Sequence, residues 1–192
     1  MNRLLICGFG PFPDALDNPA APAVERLKLD HWATSGATVE YAVLPTVWDE
    51  APKTALEALK AFSAHAVLLV GVAVHAELFR VETRARNRVS QIHADAQGRF
   101  WPSPLIDDNG PAERFVIAPA QAMTAAIQAR GLTAALSSDA GDYLCNFTLY
   151  RLLAEVPMTA FLHVPTLSPR IDLDSIVTAV RAAAQAFAAD LI

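Results

Sequence analysis

The chain has 192 residues, of which 53% are hydrophobic, with 13 prolines and a formal net charge of −5. That length suits one domain over 1–192 with a sizeable core, and the hydrophobic content excludes a disordered chain. The acidic balance leaves no basic footprint for nucleic acid, and no apolar run reaches membrane-spanning length, so neither is expected as a partner.

Arg3 to Cys7 is a short apolar run and predicts a central strand. It is too short for a signal segment, because Gly8 interrupts it at once. The loop Gly8-Phe9-Gly10-Pro11-Phe12-Pro13 follows. Its glycines do not complete a dinucleotide fingerprint, and its two phenylalanines read equally as local packing or as the wall of a site. Asn18-Pro19 reads as an N-cap with proline at the first helical position, followed by a short helix carrying Ala23, Val24 and Leu27. Thr38 to Leu44 predicts a second strand. Thr46 after it reads either as a turn residue or as part of a site wall. Glu50 to Phe62 predicts a helix with Ala55, Leu56, Leu59 and Phe62 on one face, and His65 beyond it reads as solvated.

Ala66 to Gly71 is a continuous apolar run, the pattern of a parallel strand covered on both faces. Hairpins are expected within Glu77 to Arg99, and Glu82 there reads by itself as a surface carboxylate amid arginines. Arg99 to Arg114 is rich in Pro, Asp and Gly and predicts a long loop, whose aromatics Phe100 and Trp101 suit an oligomer contact or a substrate lid, with local packing the favoured reading. Pro119 opens a helix to about Ala129 that Gly131 stops. The last helix starts at Asp172 and buries Ile176, Val177, Val180, Ala184 and Phe187. Strands alternating with helices in this order predict an α/β fold: a three-layer α/β/α sandwich with a mostly parallel sheet.

Two segments remain, and they carry the chemistry. Leu132 to Leu136 predicts a strand, Ala140-Gly141 a tight turn, and Leu144 to Glu155 a helix. Cys145 falls at that helix start, where free N–H groups and the helix dipole favour a thiolate. Met158 to Pro165 predicts a buried strand with His163 at its C-terminal end, where sites of open α/β sheets form. Thiol and imidazole on neighbouring strand ends would meet. The alternative reading of Cys145 is a small buried hydrophobe. Cys145 and Cys7 are the two cysteines, too few for a disulfide framework and suited to a reducing cytoplasm. His31, His75 and His93 show no metal-ligand spacing, so no metal and no other cofactor is expected.

Ala140-Gly141-Asp142-Tyr143-Leu144-Cys145-Asn146 together with Phe161-Leu162-His163-Val164-Pro165 resembles the pyroglutamyl peptidase I (pyrrolidone-carboxylate peptidase) family. Weaker matches in the family's order extend the likeness from about Leu4 to Pro165. The resemblance implies a Cys–His–Glu triad of Cys145, His163 and Glu82. Glu82 and Asn87 keep the family's spacing, as does the interval from Gly71. It also implies a pyroglutamyl pocket bordered by Phe9, Phe12 and Asn18, with Thr46, Val72, Tyr143 and Leu144 on its walls. Aromatic walls suit a small uncharged lactam. The chain departs from many bacterial members at Val72 and Ile92, where they carry glutamine and arginine. Asp142 is a further concern, since an acid three residues before the cysteine would raise its pKa and repel acidic substrates; Arg84, Arg86 and Arg88 would offset that charge or form a solvated face.

The implied activity is that of a cysteine exopeptidase removing an N-terminal pyroglutamyl residue through a thioester. The expected partners are small peptides with that residue, in the cytoplasm. Family members are often homo-oligomers, which extends as an expectation to this chain. Two alternatives stay open: a cysteine hydrolase of the same fold for another small amide, and a non-catalytic binding protein.

Overall fold

The structure, a computed structural model, describes residues 2–191. Eight strands and five helices follow the predicted alternation: β1 (Asn2–Phe9), α1 (Ala20–Leu29), β2 (Ala37–Leu44), α2 (Glu50–Phe62), β3 (Ala66–Val72), β4 (Phe79–Glu82), β5 (Arg84–Arg86), β6 (Glu113–Phe115), α3 (Ala120–Gln128), β7 (Ala134–Ser137), α4 (Leu144–Glu155), β8 (Thr159–Val164) and α5 (Leu173–Ala189). Six strands form one sheet in the order β2-β1-β3-β8-β4-β7. The first four of these run parallel. β4 is antiparallel to β8, and β7 runs parallel to β4.

Side-chain alternation along each strand divides the core into two. Leu4, Ile6, Leu68, Val70, Ala160, Leu162, Phe79 and Val81 face one side, against α1, α3 and α5. Leu5, Cys7, Val67, Leu69 and Phe161 face the other, against α2 and α4. This is the expected three-layer sandwich. α5 buries all five residues of its predicted stripe, and Asp172 caps it by accepting from the Ser175 N–H at 2.8 Å. At α1 the cap differs slightly from expectation: the helix begins after Pro19, yet the Asn18 Oδ1 accepts from the Ala20 N–H at 3.0 Å. Among the described residues, no helix is long and apolar enough to cross a membrane.

Three expectations need correction. First, the Glu77 to Arg99 stretch makes no hairpin of its own. β4 leaves it for the main sheet, and β5 pairs with β6, drawn from the end of the predicted long loop. Second, of the two loop aromatics only Trp101 takes the favoured local packing, its ring on Phe147 at 4.8 Å and on Trp48 at 6.3 Å, while Phe100 stays exposed. Third, β7 and β8 are not neighbours, because β4 lies between them. A pattern of apolar residues marks a strand but says nothing of which strand it pairs with.

Phe187 is fully buried on the α1/α3/α5 side. Phe187→Ala is expected to lower stability by about 3–5 kcal/mol. Urea unfolding checks this: the midpoint falls and the slope stays unchanged.

Candidate active site

Three strand ends set one row across the sheet. In register, Gly71 of β3 faces His163 of β8, and His163 faces Arg80 of β4. His163 leaves β8 on the same side as Phe161, toward α4, by strand alternation. Glu82, two residues beyond Arg80, turns to the same side and meets the imidazole. Its Oε1 lies 2.8 Å from His163 Nδ1. Both side chains are buried, Glu82 completely. The surface carboxylate that the local sequence suggests is thus corrected. Insertion of β4 beside β8 takes Glu82 out of water, and His163 compensates for that loss. A carboxylate beside Nδ1 fixes the tautomer: Nδ1–H donates to Glu82 and Nε2 is left for other work.

Cys145 arrives from above this row. β7 ends at Ser137, and the connection turns through Gly141, whose φ of +82° favours glycine. α4 begins at Leu144 without a side-chain cap, so its first N–H groups point outward beside Cys145. Gly71 makes room for the sulfur. A Cβ at that position would lie 2.8 Å from Cys145 Sγ and 2.9 Å from the Phe161 ring. Asn146 fixes the helix start to the β5 segment: its Oδ1 accepts from the Arg86 N–H at 2.8 Å, and its Nδ2 donates to the Arg86 and Arg88 carbonyls at 2.8 and 3.1 Å.

Cys145 and His163 line one cleft of about 690 Å³. All seven side chains expected in a substrate pocket line it as well: Phe9, Phe12, Asn18, Thr46, Val72, Tyr143 and Leu144. Tyr143 stacks near Phe12 at 5.5 Å and donates its hydroxyl to the Ala94 carbonyl at 2.8 Å. Burial, then Asp95 and Asp14, push its phenol upward, so it stays protonated. Thr46 and Asn18 are less free than the resemblance implies. Both donate to the Gly10 carbonyl, at 2.9 and 2.8 Å, and so hold the aromatic loop in place. Ile92 is 81% exposed and does not line the cleft.

The electrostatics also revise an expectation. Burial, then the Glu82 carboxylate, push the Cys145 thiol up to about 12, with Arg80 pulling it down. The carboxylate that matters is Glu82, not Asp142. Desolvation of the thiolate outweighs the helix start. Burial and the neighbouring carboxylate thus favour the thiol over the thiolate. Arg84, Arg86 and Arg88 pair with Glu113 and Asp139, at 2.9, 3.5 and 2.9 Å for the nearest contacts. Among the described residues, no group of three or more His, Cys, Asp or Glu side chains forms a metal-ligand set. Sequence reading missed Arg80 in the cleft; strand alternation two residues before Glu82 is the signal that would have found it.

Iodoacetamide is expected to label the half-buried Cys145 and to spare Cys7, which has no exposed surface. With the thiol raised, the labelling rate should climb about tenfold per pH unit through the neutral range. A rate already flat there would mean a preformed thiolate.

A family model described as pyroglutamyl peptidase matches residues 2–190. The pyrrolidone-carboxylate peptidase of Levilactobacillus brevis is 34% identical over 175 residues, covering 88% of this chain and 84% of its own. That of Bacillus subtilis is 30% identical over 196 residues, covering 95% and 90%. The crystal structure of pyroglutamyl peptidase I from Bacillus amyloliquefaciens superposes with a TM-score of 0.89 at 26% identity, covering 98% of this chain and 96% of that one. Pyrrolidone carboxyl peptidase from Thermococcus litoralis shares the fold, with a TM-score of 0.90 at 24% identity, over 100% and 95% of the two chains. The match runs through the whole sheet and both halves of the cleft, and the chain belongs to the pyroglutamyl peptidase family.

Proposed function

We propose that Cys145 is the nucleophile, His163 the proton carrier and Glu82 its partner in this chain's version of the family reaction. The protein is a cysteine exopeptidase that removes an N-terminal pyroglutamyl residue from peptides through a thioester acyl-enzyme. The observation that carries the residue assignment is the buried 2.8 Å contact between His163 and Glu82, in the same cleft as a cysteine at an uncapped helix start.

The roles follow from proton positions. His163 Nε2 accepts the Cys145 proton, and Glu82 stabilises the imidazolium. The thiolate attacks the carbonyl that joins the pyroglutamyl group to the next residue. The N–H groups opening α4 stabilise the oxyanion; losing one such donor typically costs about 2.7–4 kcal/mol. The C–N bond breaks as His163 returns its proton to the leaving amine. Water then attacks the thioester, with His163 as base, and releases pyroglutamate and the free thiol. The aromatic and aliphatic walls from Phe9, Phe12, Val72 and Leu144 suit an uncharged ring. An N-terminal ammonium packed against those apolar walls would lose hydration and be disfavoured there.

Hydrolysis of pyroglutamyl-aminomethylcoumarin by the wild type and by Cys145→Ala tests the reading. Release of coumarin is expected from the wild type, with none above background from the variant. Turnover by the variant equal to the wild type would sink the assignment of the nucleophile. Gly71→Ala supplies a geometric test, because its methyl group must displace Sγ or the Phe161 ring. The expected fall in kcat is on the order of a hundredfold, with the fold retained by circular dichroism.

A further inference from the structure

Arg80 is a cation in the cleft that the reaction above does not use. It leaves β4 on the same side as Glu82 and stands directly opposite His163 in the antiparallel register. Opposed residues of such a pair have Cβ atoms about 4.5–5.5 Å apart, so the two side chains rise side by side. It lines the cleft with Cys145 and His163, and its charge pulls on the Cys145 thiol. Phe79 and Val81 on either side are buried in the opposite core and anchor the strand beneath it.

Arg80 is also unpaired. Its side chain is half-buried, and its Nε is closed off without a hydrogen-bond partner. Among the described residues no carboxylate forms an ion pair with it, although nearby arginines find theirs: Arg84 on Glu113 and Arg88 on Asp139, both at 2.9 Å. Three acids line the cleft with it, Asp14, Asp139 and Asp142, and none of them lies within ion-pair distance of Arg80. Asp139 holds Arg88, and Asp14 faces His93 at 3.4 Å. A partly desolvated cation without a counter-charge favours an anionic group on the ligand.

The position of Arg80 says which part of a substrate would carry that anion. The leaving amine must come within hydrogen-bond reach of His163 to receive its proton. The residue after pyroglutamate hangs on that nitrogen, so its substituents lie beside His163, the residue that Arg80 stands opposite. The pyroglutamyl ring itself carries no charge. We propose that Arg80 is a specificity-determining residue that binds a carboxylate on the first residue after pyroglutamate. That carboxylate is either the free C-terminus of a pyroglutamyl dipeptide or the side chain of an acidic residue. This inference rests on the peptidase reading.

Two matched substrate pairs test it, each differing in one carboxylate: pyroglutamyl-alanine against its amide, and pyroglutamyl-glutamate amide against pyroglutamyl-glutamine amide. The first pair reports a C-terminal carboxylate and the second a side-chain one. In the wild type, the acid member of at least one pair should show about tenfold higher kcat/KM, mainly through KM. Arg80→Gln should bring that ratio toward one, and Arg80→Lys should restore part of it. An effect of Arg80 through Cys145 would slow both members of a pair alike, so the ratio is the readout. No preference in either wild-type pair, or a preference that survives Arg80→Gln, would overturn the proposal. Wild-type ratios alone suffice for that if the variant does not fold. Absence of any turnover, including pyroglutamyl-aminomethylcoumarin, would instead overturn the peptidase reading and this inference with it.

Discussion

The contact between Glu82 and His163 is the constraint on which the rest of the site depends. A carboxylate with no exposed surface is strongly disfavoured unless a donor or a cation meets it. Removing one partner of such a buried pair typically costs about 3–5 kcal/mol, because the other charge is left uncompensated. Here the partner is an imidazole on the adjacent strand, so the pair also pins the β4–β8 seam, where the sheet changes from parallel to antiparallel. The same bond that occupies one oxygen of the carboxylate sets the tautomer of His163 and leaves Nε2 free, while Glu82 Oε2 is buried without a partner. Fold stability and, in the proposed roles, proton transfer share one interaction.

Around that pair, strand alternation separates packing from function. Leu162 and Val164 continue the hydrophobic face of β8, while Phe161 and His163 face the cleft side. Phe79 and Val81 do the same for β4, leaving Arg80 and Glu82 on the cleft side. The row Gly71, His163, Arg80 then presents, side by side, a space for sulfur, an imidazole and a cation. Each is at the end of a short strand whose other residues are buried, which makes the row rigid without further bracing.

Much of the polar sequence around the site serves to hold backbone. Asn146 ties α4 to the β5 segment, and Asn18 and Thr46 converge on one carbonyl of the aromatic loop. Asn87 accepts from the Ile106 and Asp107 N–H groups at 2.9 and 3.0 Å and donates to the Asp107 carbonyl at 2.7 Å. Asp95, fully buried, accepts from the Gln97 and Arg99 N–H groups, both at 2.9 Å. These clamps explain how a chain with so long an irregular stretch between β5 and β6 keeps a defined cleft. Buried backbone groups there find side-chain partners in place of a ladder.

The sequence by itself determined the order of elements, the helix at Cys145, the strand ending at His163 and the apolar faces of α2 and α5. All of these rest on local periodicity, capping and turn chemistry, which a chain carries in its own neighbours. Motif likeness added Glu82 and the pocket residues, and each of them lines the cleft or contacts a residue that does. What only the tertiary structure decided is pairing and environment. That β4 enters between β8 and β7, that Glu82 is buried and Ile92 is not, and that Arg80 faces His163 without a counter-ion depend on register between distant segments. The same holds for the thiol of Cys145. A helix start predicts a lowered pKa, whereas burial beside Glu82 raises it, and burial is a property of everything packed around the sulfur.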